Sequence, residues 1–234
     1  MNVFYAPPNQ ISGDYIEING DEAHHISRVL RYKTGQEITV VDGVGNKYSG
    51  LIEIVRKKQV QVRITDKKTL MDPQKTPKRL ILGLGIIKHR QRLEFAIEKA
   101  IELGATDIVL FKSRYTEKDN VRTDRIENIM ISAMKQSMHA MLPVLTIAQS
   151  LEEAISNYPQ SRIIIAHEKH DGKPGIMNEI KEEKEVLALI GPEGGFSEEE
   201  VNMVREKGGE VVSLGRYRLR AETAAIAILS LFLG

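Results

Sequence analysis

From residue 80 to the C-terminus, short apolar runs alternate with segments in which apolar residues recur every three or four positions. The first pattern predicts buried strands, and the second predicts amphipathic helices. The predicted strands are 80–87, 107–111, 144–147, 162–166, 186–190 and 210–214, and the predicted helices are 93–103, 124–138, 151–155, 197–207 and 221–233. Strands that alternate with helices pair mainly in parallel, so we predict an α/β domain with helices on both faces of a mostly parallel sheet.

The first seventy residues follow a different pattern, in which apolar and polar residues alternate as they do in half-buried strands. Predicted strands at 2–5, 37–41, 48–55 and 59–64 surround one helix at 21–30, for which Asp21 is the predicted N-cap. Several short strands around one helix indicate a small β-barrel. The polar, basic stretch that follows contains Pro73 and Pro77. We therefore predict a barrel domain (1–70), a linker (71–79) and an α/β domain (80–234).

The composition excludes several classes of protein. The chain has no cysteine, so it forms neither disulfides nor thiolate metal sites. Its 33 Lys and Arg residues balance 32 Asp and Glu residues, which argues against a polycation or a charged disordered tail. Neither a secretory signal pattern nor an apolar run of ~18 residues is present, so we expect a cytoplasmic protein with no membrane partner. The basic excess before residue 80 fits either an RNA-contacting surface or ordinary surface variation.

Two patterns resemble ligand motifs but do not match them. Gly83 and Gly85 follow a strand as in a dinucleotide-binding turn, but Lys88 occupies the position of the third glycine. Close packing or a cleft explains these glycines better. The run from His167 to Asp171 has His-Glu-x-His spacing, one residue shorter than the zinc-protease motif. We therefore predict neither a nicotinamide cofactor nor a metal, although this loop follows a strand at the edge where α/β proteins bind ligands.

A glycine-rich turn, Gly191–Gly195, follows the apolar strand at 186–190. Pro192 stiffens this turn, and its glycines allow another backbone or a ligand to come close. Ser197 and Glu200 have the spacing of a capping box, which predicts the start of the next helix. The residues alone are consistent with a ligand site and with a plain strand-to-helix connection.

A second segment, Leu214–Ala224, carries Arg216, Arg218 and Arg220 at alternate positions. It is either a solvated basic loop or a loop that wraps a cofactor and directs an arginine towards RNA. Glu222 follows at a predicted helix N-terminus, where a carboxylate favours the helix dipole. The helix itself is apolar nearly all round, which predicts burial in the core or in a subunit interface.

These segments, Gly191–Ser197 and Leu219–Thr223, together with His24–Arg31, resemble the signature of the RsmE family. This family belongs to the SPOUT superfamily and methylates N3 of a uridine in 16S ribosomal RNA. The resemblance implies an N-terminal PUA-like β-barrel that holds RNA and a C-terminal SPOUT α/β domain that ends in a trefoil knot. It also implies S-adenosyl-L-methionine as cofactor, a homodimer, and the small ribosomal subunit as the context of the substrate.

The resemblance further implies roles for individual residues. The cofactor-binding residues would be Ala166, His167, Glu168, Ile190, Gly191, Pro192, Glu193, Gly194, Gly195, Leu214, Gly215, Leu219, Arg220 and Thr223. The catalytic residues would be Arg220, which stabilises the uridine anion, and Glu222 or Glu193 as the base. The RNA-binding residues would be His25, Arg28 and Arg31, of which Arg28 and Arg31 are predicted to share a helix face, although a barrel-capping helix with ordinary surface charges is the alternative.

The chain departs from the family pattern at two places. Ala221 stands where many members have threonine, and Met138-His139 stand where many have glycine and arginine. Two other functions remain open at this point. One is an RNA-binding dimer without activity, and the other is a SPOUT methyltransferase that acts on another base or another RNA.

Overall fold

The computed structural model describes residues 2–70, 78–117, 120–168, 179–180 and 182–233. Most of the predicted linker, 71–77, therefore lies outside the described residues, and Arg79, its last predicted residue, begins a strand. Contacts divide the chain into two compact units. One unit holds the described residues before 77 together with Met134–Leu142, and the other holds the remainder.

Residues 134–142 thus cluster with the first unit, whereas we predicted them within a contiguous second domain. Backbone hydrogen bonds explain this placement, since Gly45 N donates to Ala140 O (3.0 Å) and Leu142 N donates to Gly43 O (2.9 Å). The Lys135 ammonium also donates to both carboxylate oxygens of Glu22, at 2.9 and 2.8 Å. The first unit is therefore built from two separate stretches of chain.

The first unit contains a six-stranded sheet in the order β1-β4-β5-β6-β3-β2. Its strands are β1 (Val3–Tyr5), β2 (Ile11–Ser12), β3 (Tyr15–Asn19), β4 (Glu37–Val41), β5 (Asn46–Arg56) and β6 (Gln59–Thr69). Strands β1 and β4 pair in parallel, and the other neighbours pair antiparallel. Alternate residues, including Ile16, Ile18, Val60 and Val62, are fully buried in one core, as the period-2 pattern predicts. Strands β2 and β3 were not predicted from the sequence.

Helix α1 (Gly20–His24) continues into one turn of π-helix, His25–Val29. The prediction of Asp21 as N-cap is wrong, because the helix starts directly after β3 and Asn19 occupies the cap position without a side-chain hydrogen bond. The apolar residues Ile26 and Val29 are three positions apart, a spacing that predicts one shared helix face, but Ile26 is buried and Val29 is exposed. The wider π-turn rotates the residues that follow it relative to an α-helix, so the spacing no longer predicts the buried face.

The second unit contains six parallel strands in the order β12-β10-β11-β7-β8-β9. The strands are β7 (Arg79–Gly85), β8 (Asp107–Phe111), β9 (Val144–Ala148), β10 (Arg162–Ala166), β11 (Glu185–Ile190) and β12 (Glu210–Val212). This confirms the predicted α/β class with a mostly parallel sheet. The carboxyl ends of all six strands lie at one edge, where connecting loops of α/β proteins form ligand sites.

Helices cover the sheet of the second unit. The helices with assigned bounds are α2 (Arg90–Glu102), α3 (Thr123–Gln136), α4 (Leu151–Ser156), α5 (Glu198–Glu206) and α6 (Ala221–Ser230). Buried residues of α4 and α5, such as Leu151 and Val204, share one core with Ile81, Leu187 and other strand residues. Helices α2 and α6 pack against each other, and α6 also contacts β7 and β11. Within the described ranges, the helices lack the combination of length and apolar character needed to cross a membrane.

Candidate active site

A cavity of about 550 Å³ lies at the carboxyl edge of the second unit's sheet. Loops that follow β10, β11 and β12 form most of its wall, and the first turn of α6, Arg92 of α2 and Tyr115 after β8 add to it. Its volume lies in the range of small-molecule sites in proteins. These three loops are the ones that the resemblance to the RsmE family predicts to bind the cofactor.

The cavity brings together nearly all the residues that we predicted to contact a cofactor. Those that line it are Ala166, His167, Glu168, Ile190, Gly191, Pro192, Glu193, Gly194, Gly195, Leu214, Gly215, Leu219 and Arg220, and the predicted base Glu222 lines it as well. Thr223 is the exception, because its side chain is exposed and does not form part of this wall. On α6 the wall is formed by Ala221, Glu222 and Ala224, which places Thr223 on another face of the helix.

The turn after β11 folds tightly on itself. Gly195 N donates to Pro192 O (2.9 Å), and Gly195 has a φ of +73°, which favours glycine. A Cβ added to Gly191 would lie 2.8 Å from the carbonyl carbon of Gly195, so no side chain fits between these two backbones. Phe196 is buried and stacks on Phe111 at 6.2 Å, which anchors the end of the turn in the core. Three of the five residues of this turn are glycines, so much of its backbone lines the cavity without a side chain.

The predicted capping box is present at the start of α5. Glu200 N donates to the Ser197 hydroxyl (3.2 Å), and Ser197 N donates to Oε2 of Glu200 (2.8 Å). Oε1 of Glu200 also accepts from Arg114 N (2.9 Å) in the loop that follows β8. One carboxylate thus joins the helix start to a neighbouring loop, and this fixes the position of the glycine-rich turn between them.

Gly83 and Gly85 serve close packing, as expected. A Cβ on Gly85 would lie 2.5 Å from Cδ of Pro192, and one on Gly83 would lie 2.6 Å from a methyl carbon of Leu189. The glycines of β7 thus let the neighbouring strand and its turn approach closely. This arrangement differs from a dinucleotide-binding fingerprint.

Glu193 is exposed and joins the turn to the loop before α2. Its Oε2 accepts from Lys88 N at 3.2 Å. The Lys88 ammonium bonds to Glu117, and this hydrogen bond raises the pKa of Lys88 above its usual value. The Glu193 carboxylate therefore has one backbone partner, while its other oxygen is not engaged by a described hydrogen bond.

The first turn of α6 carries the other candidate catalytic residues. Arg220 occupies the N-cap position with an extended backbone, and the cap has no side-chain hydrogen bond. Its exposed side chain lines the cavity. The Glu222 side chain is only 12% exposed, and its Oε1 lies 3.6 Å from Nε of Arg92 on α2. The site thus contains a cation that the sequence analysis missed, since no motif links the start of α2 to α6.

Two tyrosines at the cavity were also missed. Tyr115 follows β8 and packs against Gly194, where an added Cβ would lie 2.6 Å from Cβ of Tyr115. Tyr217 lies between Arg216 and Arg218 in the loop before α6. Nε of Arg218 lies 3.0 Å from Oε2 of Glu168. The alternation of arginine and tyrosine in this loop was the sequence signal that could have identified Tyr217.

The structure offers no support for the metal alternative within the described residues. These residues contain no cluster of three or more histidine and carboxylate side chains with the geometry of a metal site. His167 and Glu168 are described and line the cavity, whereas the remainder of the His-Glu-x-His run and Asp171 lie outside the described residues.

The three predicted RNA-binding residues lie in the first unit and are all exposed. His25 and Arg28 belong to the π-turn, but Arg31 lies beyond it with a φ of +57°. The prediction that Arg28 and Arg31 share a helix face is therefore wrong, because the helical backbone ends before Arg31.

Family models match both units. Residues 74–233 match a model described as an RNA methyltransferase domain, and residues 18–65 match one described as an RNA methyltransferase PUA domain. The first match covers more than half of the chain.

Full-length relatives and a solved structure are similar to the whole chain. Proteins named ribosomal RNA small subunit methyltransferase E from Rickettsia conorii and Aquifex aeolicus are each 27% identical, with 98% and 100% of this chain and 93% and 99% of the relatives covered. The crystal structure of the protein of that name from Neisseria gonorrhoeae, bound to S-adenosyl methionine, aligns with a TM-score of 0.82. That alignment has 27% identity and covers 98% of this chain and 95% of the other.

Proposed function

Because the chain belongs to the RNA methyltransferase family that includes the ribosomal RNA small subunit methyltransferases E, we propose that it methylates N3 of a uridine in 16S ribosomal RNA with S-adenosylmethionine. One observation carries the proposal. Two of the three segments through which the chain resembles the RsmE family, Gly191–Ser197 and Leu219–Thr223, meet in one cavity of suitable size, and Thr223 is their one residue outside its lining. Nothing in the sequence positions of these segments required them to lie at the same cavity.

The cavity fits a cofactor that has both polar and apolar parts. The turn Gly191–Gly195 offers backbone polar groups at close range, and the uncapped start of α6 offers further N–H groups. Ile190, Leu214 and Leu219 add apolar surface. When bound, S-adenosylmethionine supplies an electrophilic methyl group, so the protein mainly positions the acceptor and excludes water.

Methylation at N3 also requires groups that remove the N3 proton and stabilise the negative charge that results. Uridine N3 carries a proton and is a poor nucleophile until that proton leaves. We assign to Arg220 the stabilisation of the negative charge that then develops on a uridine carbonyl oxygen, since its guanidinium lines the cavity without an ion-pair partner among the described residues. We assign the removal of the N3 proton to one of two carboxylates, Glu193 or Glu222, both of which line the cavity.

The remaining features of the proposal concern the assembly. We propose that His25, Arg28 and Arg31 of the PUA domain contact ribosomal RNA in the small subunit, in the cytoplasm. We also propose a homodimer, since Ile226 and Ala227 of the apolar helix α6 are only partly buried in the single chain. The family further implies that the loops after β11 and β12 form part of a trefoil knot.

Incubation of the protein with labelled S-adenosylmethionine and small ribosomal subunits that lack the modification tests the proposal. We expect label in 16S RNA and, by mass mapping, one methylated uridine whose N3 is blocked. Label on another base or another RNA would identify a different acceptor. Calorimetry without detectable cofactor binding, combined with RNA binding, would instead identify a non-catalytic RNA-binding protein.

A further inference from the structure

Tyr217 has the most exposed large apolar side chain in the described part of the chain, at 78%. It lies between β12 and α6, in a loop that lines the cavity. Tyrosine combines an apolar ring with a polar hydroxyl and is enriched at interfaces, so an exposed ring beside a concave site is available to a ligand. The position of Tyr217 therefore indicates a binding partner rather than a role in folding.

The charge around Tyr217 indicates what this partner is. Arg216 and Arg218 flank the ring, and Arg220 follows two residues later; all three are exposed. Arg218 forms an ion pair with Glu168, which ties the loop to the strand end beside it. Arginines interleaved with an aromatic ring suit an unpaired nucleotide, because the ring stacks on a base while a guanidinium contacts the phosphate.

A second tyrosine lies at the same cavity and comes from a different loop. Tyr115 is 49% exposed and packs against Gly194. Its loop is held by Arg114 N, which donates to Glu200 of the capping box, and by the Ser113 hydroxyl, which lies 3.5 Å from Gly195 O. The cavity therefore has aromatic side chains on two separately anchored loops, Tyr115 on a fixed one and Tyr217 on the basic one.

We propose that Tyr217 stacks on the uridine that is presented for methylation, with Arg216 on an adjacent phosphate. This rests on the proposed function and adds the residue that holds the acceptor. A uridine that leaves its neighbours to enter a cavity loses its stacking partners, and an exposed ring at that cavity replaces one of them. Arg218 acts through its ion pair with Glu168, which holds the loop and therefore the ring in place.

The absence of tryptophan from the chain allows a direct test. Tyr217→Trp introduces a single indole, whose fluorescence is quenched when a base stacks on it. We expect a short uridine oligoribonucleotide to quench this reporter saturably in the presence of S-adenosylhomocysteine. The control is Phe95→Trp, an exposed position on α2 that does not line the cavity. Quenching of both reporters alike, of neither, or by S-adenosylhomocysteine alone would overturn the proposal.

Kinetics with unmodified small subunits provide the second test. Tyr217→Ala should raise the KM for the subunit about tenfold, whereas Tyr217→Phe should retain the wild-type value because it keeps the ring. The affinity for S-adenosylmethionine should stay unchanged in both variants. If the wild type methylates but Tyr217→Ala has unaltered kinetics, stacking is wrong and the proposed function stands. If the wild type does not methylate, the proposed function itself fails. A change of Tyr217→Ala from dimer to monomer would show that the ring contacts a second copy instead.

Discussion

Arg92 and Glu222 form an ion pair in the wall of the cavity, with 3.6 Å between Nε and Oε1. The pair joins the start of α2 to the first turn of α6, two helices that also pack against each other. The Glu222 side chain is largely buried and Arg92 is partly exposed. Arg92 therefore balances the charge of a largely buried carboxylate in the cavity wall.

Arg92→Ala should lower the free energy of unfolding by about 1 kcal/mol, because a shielded carboxylate loses its partner. Urea unfolding of Arg92→Ala, Glu222→Gln and the double variant measures their coupling, which we expect to be about 0.5–1 kcal/mol. Arg90→Ala is the matched control, since Arg90 pairs with Glu94 on the same helix but is well exposed, and a change within about 0.5 kcal/mol is expected. Additive effects of the two single substitutions would contradict the ion pair.

Gly195→Ala should weaken S-adenosylmethionine binding at least tenfold. Gly195 has a φ of +73° and open space around an added Cβ, so the substitution strains the turn without a steric clash. Gly208 has the same properties, with a φ of +80°, but lies outside the cavity lining. Both variants should lose about 1 kcal/mol of stability. Calorimetry should show weakened cofactor binding only for Gly195→Ala, and equal affinities for both variants would rule out a role of this turn.

Arg220→Ala should lower kcat for methyl transfer by about 10²–10³-fold, the usual effect of removing one group that stabilises a developing negative charge. Cofactor affinity, measured by calorimetry, should remain unchanged, because the substitution keeps the backbone of Arg220, through which this loop would bind the cofactor, and removes only the side chain. Arg205→Ala on α5 is the control, because the Arg205 side chain bonds only to Asn202, three residues earlier, in the described hydrogen bonds and does not line the cavity. Wild-type turnover in Arg220→Ala would refute the role assigned to this arginine.

Acid stability should depend on Glu94 of α2. Hydrogen bonding to Arg125, with Nη2–Oε2 at 2.9 Å, lowers the pKa of Glu94 below its usual value, although burial opposes this shift. A carboxylate whose pKa is lower in the folded state contributes stability above the unfolded value, about 4.5, and loses it as pH falls through the folded pKa. Urea unfolding of Arg125→Ala should therefore show a weaker loss of stability below about pH 4.5 than the wild type.

The control for this pH dependence is Arg56→Ala, because Arg56 bonds to the amide of Gln59 instead of a carboxylate. It should reproduce the wild-type dependence between about pH 5 and 3. If the stability of Arg125→Ala falls with pH in parallel with that of the wild type, Glu94 is not the group responsible for the loss of stability in acid.

Continuous buried runs made some elements predictable to the residue. Strands β4, β8 and β10 have the predicted bounds, because each is a short run of mainly apolar residues with clear limits. Strands β2 and β3 were not predicted because β2 has only two residues and β3 has only two buried positions. The capping box at Ser197 was predictable because both of its partners lie within four residues.

The candidate site was predictable only where residues that are consecutive in the sequence also line the cavity together. The glycine-rich turn and the loop before α6 carry their chemistry in consecutive residues. Arg92 and Tyr115 reach the cavity from loops and helices distant in sequence, so only the fold brings them there. Thr223 was predicted to line the cavity because its neighbours in the sequence do, but it lies outside the lining. Each step of one residue along a helix rotates the side chain by about 100°, which turns Thr223 out of the cavity wall.

Because residues 134–142 belong to the first unit, that unit cannot be separated from the second by one cut in the chain. A fragment that stops at the predicted linker lacks the backbone groups that bond to Gly43 and Gly45, and it leaves Glu22 without its lysine. Exchange of the RNA-binding module between relatives would therefore require two grafts, one at the N-terminus and one that covers residues 134–142 and so includes the last turn of α3.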